Sequence, residues 1–300
     1  MFDTERSTGA PAEYLARETD TIGRMFAARV AREGDKPAFH FKKDGSWQPV
    51  SWNQFSDFAG AVASYLLNLG LELGDKICMV GSTRPEWCYC DIGGQLSGAV
   101  TLGAYPTLTP KQLAYILDHA DAKVAFVEGH EEVSKILARR DELTKLEQVV
   151  VWDSAGVETL MEIHDWLVPF DAVLATAVDR EAIEERTADV DPDGTAIIVY
   201  TSGTTGPPKG AMISQANIMT IMRDQDEAFS VSSDDVSLSF LPMAHVAERI
   251  LAFYARINTG MTTYFASSIA KVLEEVVEVR PTVFGSVPRI FEKAYAKIMG

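Results

Sequence analysis

The stretch "YTSGTTGPPKG", Tyr200 to Gly210, decides how this chain is read. An apolar, β-branched run, "AIIVY", leads into it, and "GAMIS" follows its lysine. Both runs read as short strands. The segment between them is rich in turn formers. Gly203 and Gly206 accept positive φ without steric cost, so successive N–H groups can face one concavity. Thr201, Ser202, Thr204 and Thr205 add short hydroxyls, Lys209 adds a cation on a long stem, and no acidic residue intervenes. These parts suit a polyphosphate. The stretch is not a Walker A loop, because Pro208 precedes the lysine and Gly210 follows it. Pro207 and Pro208 lack N–H donors and are better suited to stiffening the exit of the loop. An ordinary long hairpin turn is the plain alternative, since Ser, Thr, Gly and Pro all favour turns. Such a turn has no need of this many glycines and hydroxyls beside a lysine.

Strand and helix signals alternate upstream. "PAFHFKKDGSWQPVSW" reads as a hairpin turning at Asp44-Gly45. Ser51 with Gln54 forms a capping box, and apolar residues then recur at helical spacing from Phe55 to Leu69, with Gly70 as the stop. "KICMVG", "AVTLGAY", "KVAFVE" and "QVVVW" read as strands. Between them lie helices expected over 84–97, from Thr109 to Ala120, and over 131–143. This alternation predicts an α/β fold with parallel sheets flanked by helices. The acidic segment 179–194 reads as a connection into a second sheet beginning at Ala196. The expected division is a first α/β subdomain over 1–190 and the start of a second over 191–300.

Composition sets limits. Apolar residues make up 47% and charged residues 23%, as in a globular protein with a sizeable core. A formal net charge of -16 argues against a nucleic-acid partner. Screening acts over about 8 Å, so an anionic nucleotide is decided by the groups near Lys209 and not by the whole-chain sum. Cys78, Cys88 and Cys90 read as buried free thiols, because no second Cys/His pair lies near enough for zinc. The run 92–110 carries glycines, a glutamine and prolines, and it breaks into helix, strand and turn more naturally than it spans a bilayer. The N-terminus has no signal-peptide pattern. The expected location is the cytoplasm, with room for peripheral attachment at the inner face of a membrane.

The motif Tyr200–Gly210 resembles the phosphate-binding signature of the adenylate-forming enzymes, which include acyl-CoA synthetases, luciferases and peptide-synthetase adenylation domains. "LPMAHVAER" (241–249), "VRPTVFGSVPRIFEK" (279–293), "RPEW" (84–87) and "GAYPTLTPKQLAYIL" (103–117) resemble the long-chain fatty acyl-CoA synthetase form, from about Thr21 onward. The resemblance implies the N-terminal large domain of that fold, with two βαβ-type subdomains and a small barrel. It implies ATP-dependent activation of a long-chain fatty acid as an acyl-adenylate, then transfer to coenzyme A. Thr201, Ser202, Gly203, Thr204, Thr205, Gly206 and Lys209 would hold ATP, Thr204 or Thr205 would also touch Mg2+, and His245 would line the acyl site. On chemistry alone His245 is as well read as a satisfied core histidine, and Glu248 with Arg249 as an exposed ion pair. Arg84 and Trp87 read as cap and core of a helix, and the apolar residues around Phe284 and Val287 as core or as the wall of an acyl tunnel. The resemblance places the acidic magnesium ligand, the ribose-binding aspartate, the adenylation lysine and a mobile C-terminal domain beyond Gly300. These 300 residues by themselves are therefore expected to be inactive. The alternatives are an adenylation domain with another acceptor, such as a carboxylic acid reductase, and a non-catalytic nucleotide- or acyl-binding protein.

Overall fold

The computed structural model describes residues 14–201 and 207–299. After the helix Ile22–Glu33, capped by the Thr21 side chain, strands β1 (Pro37–Lys43) and β2 (Ser46–Ser51) form the expected hairpin. Asp44 and Gly45 have φ of 51° and 77°. Two consecutive positive values give the tight turn whose twist matches that of antiparallel strands. The capping box of Ser51 and Gln54 opens the helix Trp52–Asn68, and Gly70, at φ 80°, lets the chain leave it.

The alternating segment follows closely. Strands β3 (Lys76–Val80), β4 (Val100–Ala104), β5 (Ala122–Val127), β6 (Gln148–Val151) and β7 (Leu167–Pro169) are joined through the helices Pro85–Leu96, Pro110–His119 and His130–Leu137, among others. The helix expected over 131–143 stops at Leu137. A short 3-10 turn, Arg140–Glu142, follows it, and the Arg140 guanidinium donates to the carbonyls of Leu143 and Leu146 at 2.7 and 2.9 Å. Then come β8 (Thr195–Thr201), β9 (Lys209–Ser214), the helix Gln215–Ala228, β10 (Val236–Ser239), β11 (Thr262–Phe265), and the helices Val272–Val279 and Pro288–Met299.

These strands form two sheets. The larger has the order β7-β6-β5-β3-β4-β8-β9, parallel throughout except for β9. Its central strands are buried on both faces, which explains their near-continuous apolar sequences. The smaller has the order β10-β11-β1-β2. The expectation that Ala196 begins a second sheet is corrected here. β8 lies parallel to β4, with Thr101 beside Ile197 and Leu102 beside Ile198, and so extends the first sheet. Conversely, β1, near the start of the chain, runs parallel to β11, with Phe39 beside Thr263. The two sheets therefore do not divide at residue 190. The β1–β2 hairpin is stitched to strands that come after residue 235.

Close helix packing depends on glycine. The helix Pro85–Leu96 lies so near the helix Trp52–Asn68 that a Cβ on Gly93 would sit 2.6 Å from Val62 Cβ and 2.9 Å from the Ala59 carbonyl oxygen. The three cysteines are free and buried, and burial pushes the Cys78 thiol up to about 12. In an open helix, Gly→Ala stabilises by up to about 1 kcal/mol. Here the clash should reverse the sign: Gly93→Ala is expected to cost about 1–3 kcal/mol in urea denaturation. A stabilised variant would show that the helices are not packed this closely.

Candidate active site

The described residues of the candidate phosphate motif lie at the loop end of the β8–β9 hairpin. The ladder pairs Thr201 with Lys209 and Tyr200 with Gly210. Ser202, Gly203, Thr204, Thr205 and Gly206 lie outside the described residues. Thr201 and Lys209 are both exposed, at the carboxyl end of β8, and Lys209 forms no ion pair with any described residue. Gly210 is required here for space. A Cβ at this position would meet Ile198 Cγ2 at 2.9 Å and the Tyr200 ring at 3.2 Å. Tyr200 therefore lies across its own ladder partner.

His245 is placed at the same edge of the sheet by different elements. After β10 the chain crosses to the seven-stranded sheet. Thr83 Oγ1 donates to the Leu241 carbonyl at 2.6 Å, and the Ala244 backbone packs where Gly103 has no side chain, 2.9 Å from the position of its missing Cβ. Gly103 belongs to β4, which neighbours β8. The motif around 200–210 and the segment bearing His245 thus converge on the carboxyl ends of adjacent strands, where open α/β sheets bind ligands. His245 is exposed and caps the turn Val246–Glu248, its Nδ1 accepting the Ala247 N–H at 3.1 Å. Nδ1 is therefore the unprotonated nitrogen and the ring proton sits on Nε2.

Glu248 and Arg249 are not an exposed pair. Both are buried, and each has its own partner. Glu248 receives the Arg256 guanidinium at 2.9 Å and the Ser239 hydroxyl at 2.5 Å. Arg249, on the π-helical turn Arg249–Tyr254, donates to Asp91 at 2.5 and 3.3 Å and stacks 5.1 Å over the buried Trp87 ring. Asp91 also accepts from Thr101 Oγ1 at 2.6 Å and from the Tyr254 hydroxyl at 2.8 Å. Burial opposes the Arg249 charge, yet Asp91 and Tyr254 together more than offset it and raise the guanidinium above its usual value. The sequence signal that could have found this pair was a lone aspartate inside the apolar helix "EWCYCDIGGQL". Such a residue demands a partner.

Besides a cavity of about 220 Å³ lined by Thr83, Tyr105 and Pro242 among others, two larger cavities lie near these elements. One, of about 360 Å³, is largely apolar and lined by Tyr14, Phe229, Leu251, Ala255, Met261 and Phe284 among others. Phe284 is thus a wall residue, whereas Val287 is exposed and does not line it. The other, of about 330 Å³, is polar and lies beside Lys42 and Arg84. Two of its three cations are already paired: Arg84 meets Glu86 at 2.7 Å and Glu128 at 3.3 Å, and Lys42 meets Glu278 at 2.8 Å and Glu275 at 3.3 Å, while Lys43 forms no ion pair with any described residue. Arg84 occupies the N-cap position without a side-chain cap bond, while Trp87 is fully buried.

This fold belongs to a known class. The chain is a member of the AMP-binding enzyme family, which matches residues 26–298. It is 31% identical over 291 residues to long-chain-fatty-acid–CoA ligases of Rattus norvegicus and Homo sapiens, covering 93% of this chain and 39% of each of theirs. The chain thus spans about two-fifths of the length of these relatives. In solved structures it is similar to a fatty acyl-CoA synthetase of Mycobacterium tuberculosis (TM-score 0.76, 23% identity, covering 91% of this chain and 50% of that one). It is also similar to the A-PCP didomain of a carboxylic acid reductase of Segniliparus rugosus in complex with AMP (TM-score 0.77, 24% identity, covering 95% and 44%). The architecture is that of the N-terminal domain of adenylate-forming enzymes.

The buried pair provides a test. Asp91→Leu and Arg249→Met, each alone, should lose about 3–5 kcal/mol of stability by leaving one charge uncompensated, and the double variant should lose less than either. Additive losses in chemical denaturation would show that the two side chains do not act as a pair.

Proposed function

We propose that this chain carries the triphosphate-facing and acyl-facing part of an ATP-dependent long-chain fatty acid–CoA ligase. The observation that carries the reading is Lys209. It is an exposed cation without a carboxylate partner among the described residues, and it stands opposite Thr201 at the mouth of a hairpin whose sequence is rich in donors. A cation left unpaired at the carboxyl edge of a parallel sheet is suited to an anionic ligand.

The chemistry requires a fatty-acid carboxylate to attack the α-phosphate of ATP, so two anions must meet. Pyrophosphate leaves, the acyl-adenylate forms, and the thiol of coenzyme A then displaces AMP. Lys209 would hold the β- and γ-phosphate oxygens and draw charge toward the leaving group. His245, with its proton on Nε2, would donate a hydrogen bond from that nitrogen toward the carboxylate or its adenylate. The apolar cavity beside Leu251 and Phe284 is where an acyl chain would shed water. Magnesium, when bound, would neutralise phosphate charge. No group of three His, Cys, Asp or Glu among the described residues could hold a metal ion, so the phosphate oxygens themselves, with Thr204, would be its principal ligands on this side. No described helix is long and apolar enough to cross a membrane, and the acidic chain gives an anionic bilayer little attraction.

Lys209→Ala is expected to weaken ATP binding by about 10- to 100-fold, the worth of one charge-assisted bond, while AMP affinity changes less than about threefold. Titration of both nucleotides in magnesium buffer reads the difference. Equal losses for ATP and AMP would remove the β/γ-phosphate assignment.

A further inference from the structure

The loop end of the β8–β9 hairpin is held from outside its own sheet ladder. The helix Pro110–His119 presents Tyr115 and His119, four residues apart and therefore on one face, with rings stacked at 5.2 Å between centroids. Tyr115 donates its hydroxyl to the Pro208 carbonyl at 3.1 Å. His119 Nδ1 meets the Tyr200 hydroxyl at 2.8 Å, and the two rings lie edge to face at 5.8 Å. One strand of the hairpin is therefore gripped one residue before Thr201, and the other one residue before Lys209.

These contacts have a mechanical consequence. β9 is the edge strand of its sheet, and Thr201 opposite Lys209 is the outermost pair of the β8–β9 ladder. This last described pair has a described ladder neighbour on one side alone, so contacts from outside the ladder bear on where it sits. Pro208 offers no N–H to the ladder, and its carbonyl is instead taken by Tyr115. Gly210 leaves the room in which the Tyr200 ring lies flat enough to reach His119. Burial pushes the Tyr200 phenol up to about 12, so this hydroxyl keeps its proton at any pH at which a nucleotide would be bound. None of the four residues needs to touch a ligand.

We propose that Tyr115 and His119 are positioning residues: they brace the two feet of the hairpin, at Pro208 and Tyr200, and so fix where Lys209 presents its ammonium group. The proposal deepens the functional reading above and rests on it. It assigns a role to a helix face well before the motif in sequence, one that neither contributes a donor to the phosphates nor lines the acyl cavity.

The test uses the 300-residue chain with Tyr115→Phe, His119→Ala, the two combined, and each on a Lys209→Ala background. Tyr115→Phe deletes one oxygen and keeps the ring stack, so folding is preserved even if the double variant proves unstable. The brace predicts that each single variant weakens ATP binding about three- to tenfold, the worth of one hydrogen bond, with AMP affinity within twofold. On the Lys209→Ala background neither should cost further ATP affinity, because the effect runs through that lysine. Backbone amide exchange over 209–211 should accelerate in the same variants, while β3 to β5 exchange at the parent rate. Equal losses for AMP and ATP, or full losses that persist on the Lys209→Ala background, would overturn the positioning role. If Lys209→Ala itself leaves ATP binding unchanged, the functional reading fails, and amide exchange then decides the brace alone: unchanged rates over 209–211 in Tyr115→Phe and His119→Ala would end it.

Discussion

The ion pair between Asp91 and Arg249 is the contact on which the packing around the seven-stranded sheet turns. Its members are 158 residues apart, and both are almost wholly removed from water. A charge buried in this way is tolerated only when paired and hydrogen-bonded. Here the bonding is complete enough to extend across the molecule. Thr101 accepts from Gln95 at 3.1 Å, Gln95 also donates to the Ala196 carbonyl at 3.0 Å, and Gln215 donates to Gln95 at 2.8 Å. Gln215 in turn accepts the Ile22 N–H at 2.9 Å, at the start of the first long helix. One polar chain thus ties the helix Pro85–Leu96, strands β4 and β8, the helix Gln215–Ala228 and the π-helical turn into a single geometry. Replacing any member leaves another unsatisfied, which gives this cluster its specificity as well as its cost.

The candidate site inherits its shape from that cluster. Arg249 donates its backbone N–H to the His245 carbonyl at 3.1 Å, so anchoring the guanidinium also sets the turn that His245 caps. Within hydrogen-bonding reach of the same guanidinium are the carbonyl and hydroxyl of Thr101, on the strand beside β8. The histidine and the hairpin are therefore referred to one buried point, although they come from different parts of the chain. Arg29 makes a comparable anchor nearby. Its guanidinium donates to the carbonyls of Ile257 and Asn258 at 2.8 and 2.5 Å and closes the end of the helix that follows the π-helical turn. Rigid supports of this kind allow exposed groups such as Lys209 and His245 to be held without being buried themselves.

The sequence by itself determined the local structure of this protein and the chemical character of its candidate site. Asp44-Gly45 dictated a hairpin because both residues tolerate positive φ. Ser51 with Gln54 and Thr109 with Gln112 dictated helix starts because each pair satisfies otherwise orphaned N–H groups. The β-branched runs dictated strands, and the glycines, hydroxyls and one lysine at 200–210 gave the candidate site its donors and its cation. Each of these signals lies within a few residues of its effect. Tertiary structure alone decided that β8 extends the first sheet, that β1 pairs with a strand more than two hundred residues later, that Glu248 and Arg249 turn inward to separate partners, and that Tyr115 and His119 meet the hairpin. The physical reason is common to all four. Strand order, the partner of a buried charge and the approach of a distant helix are settled by which surfaces pack together, and the residues that decide them carry no mark of their partner in the surrounding sequence.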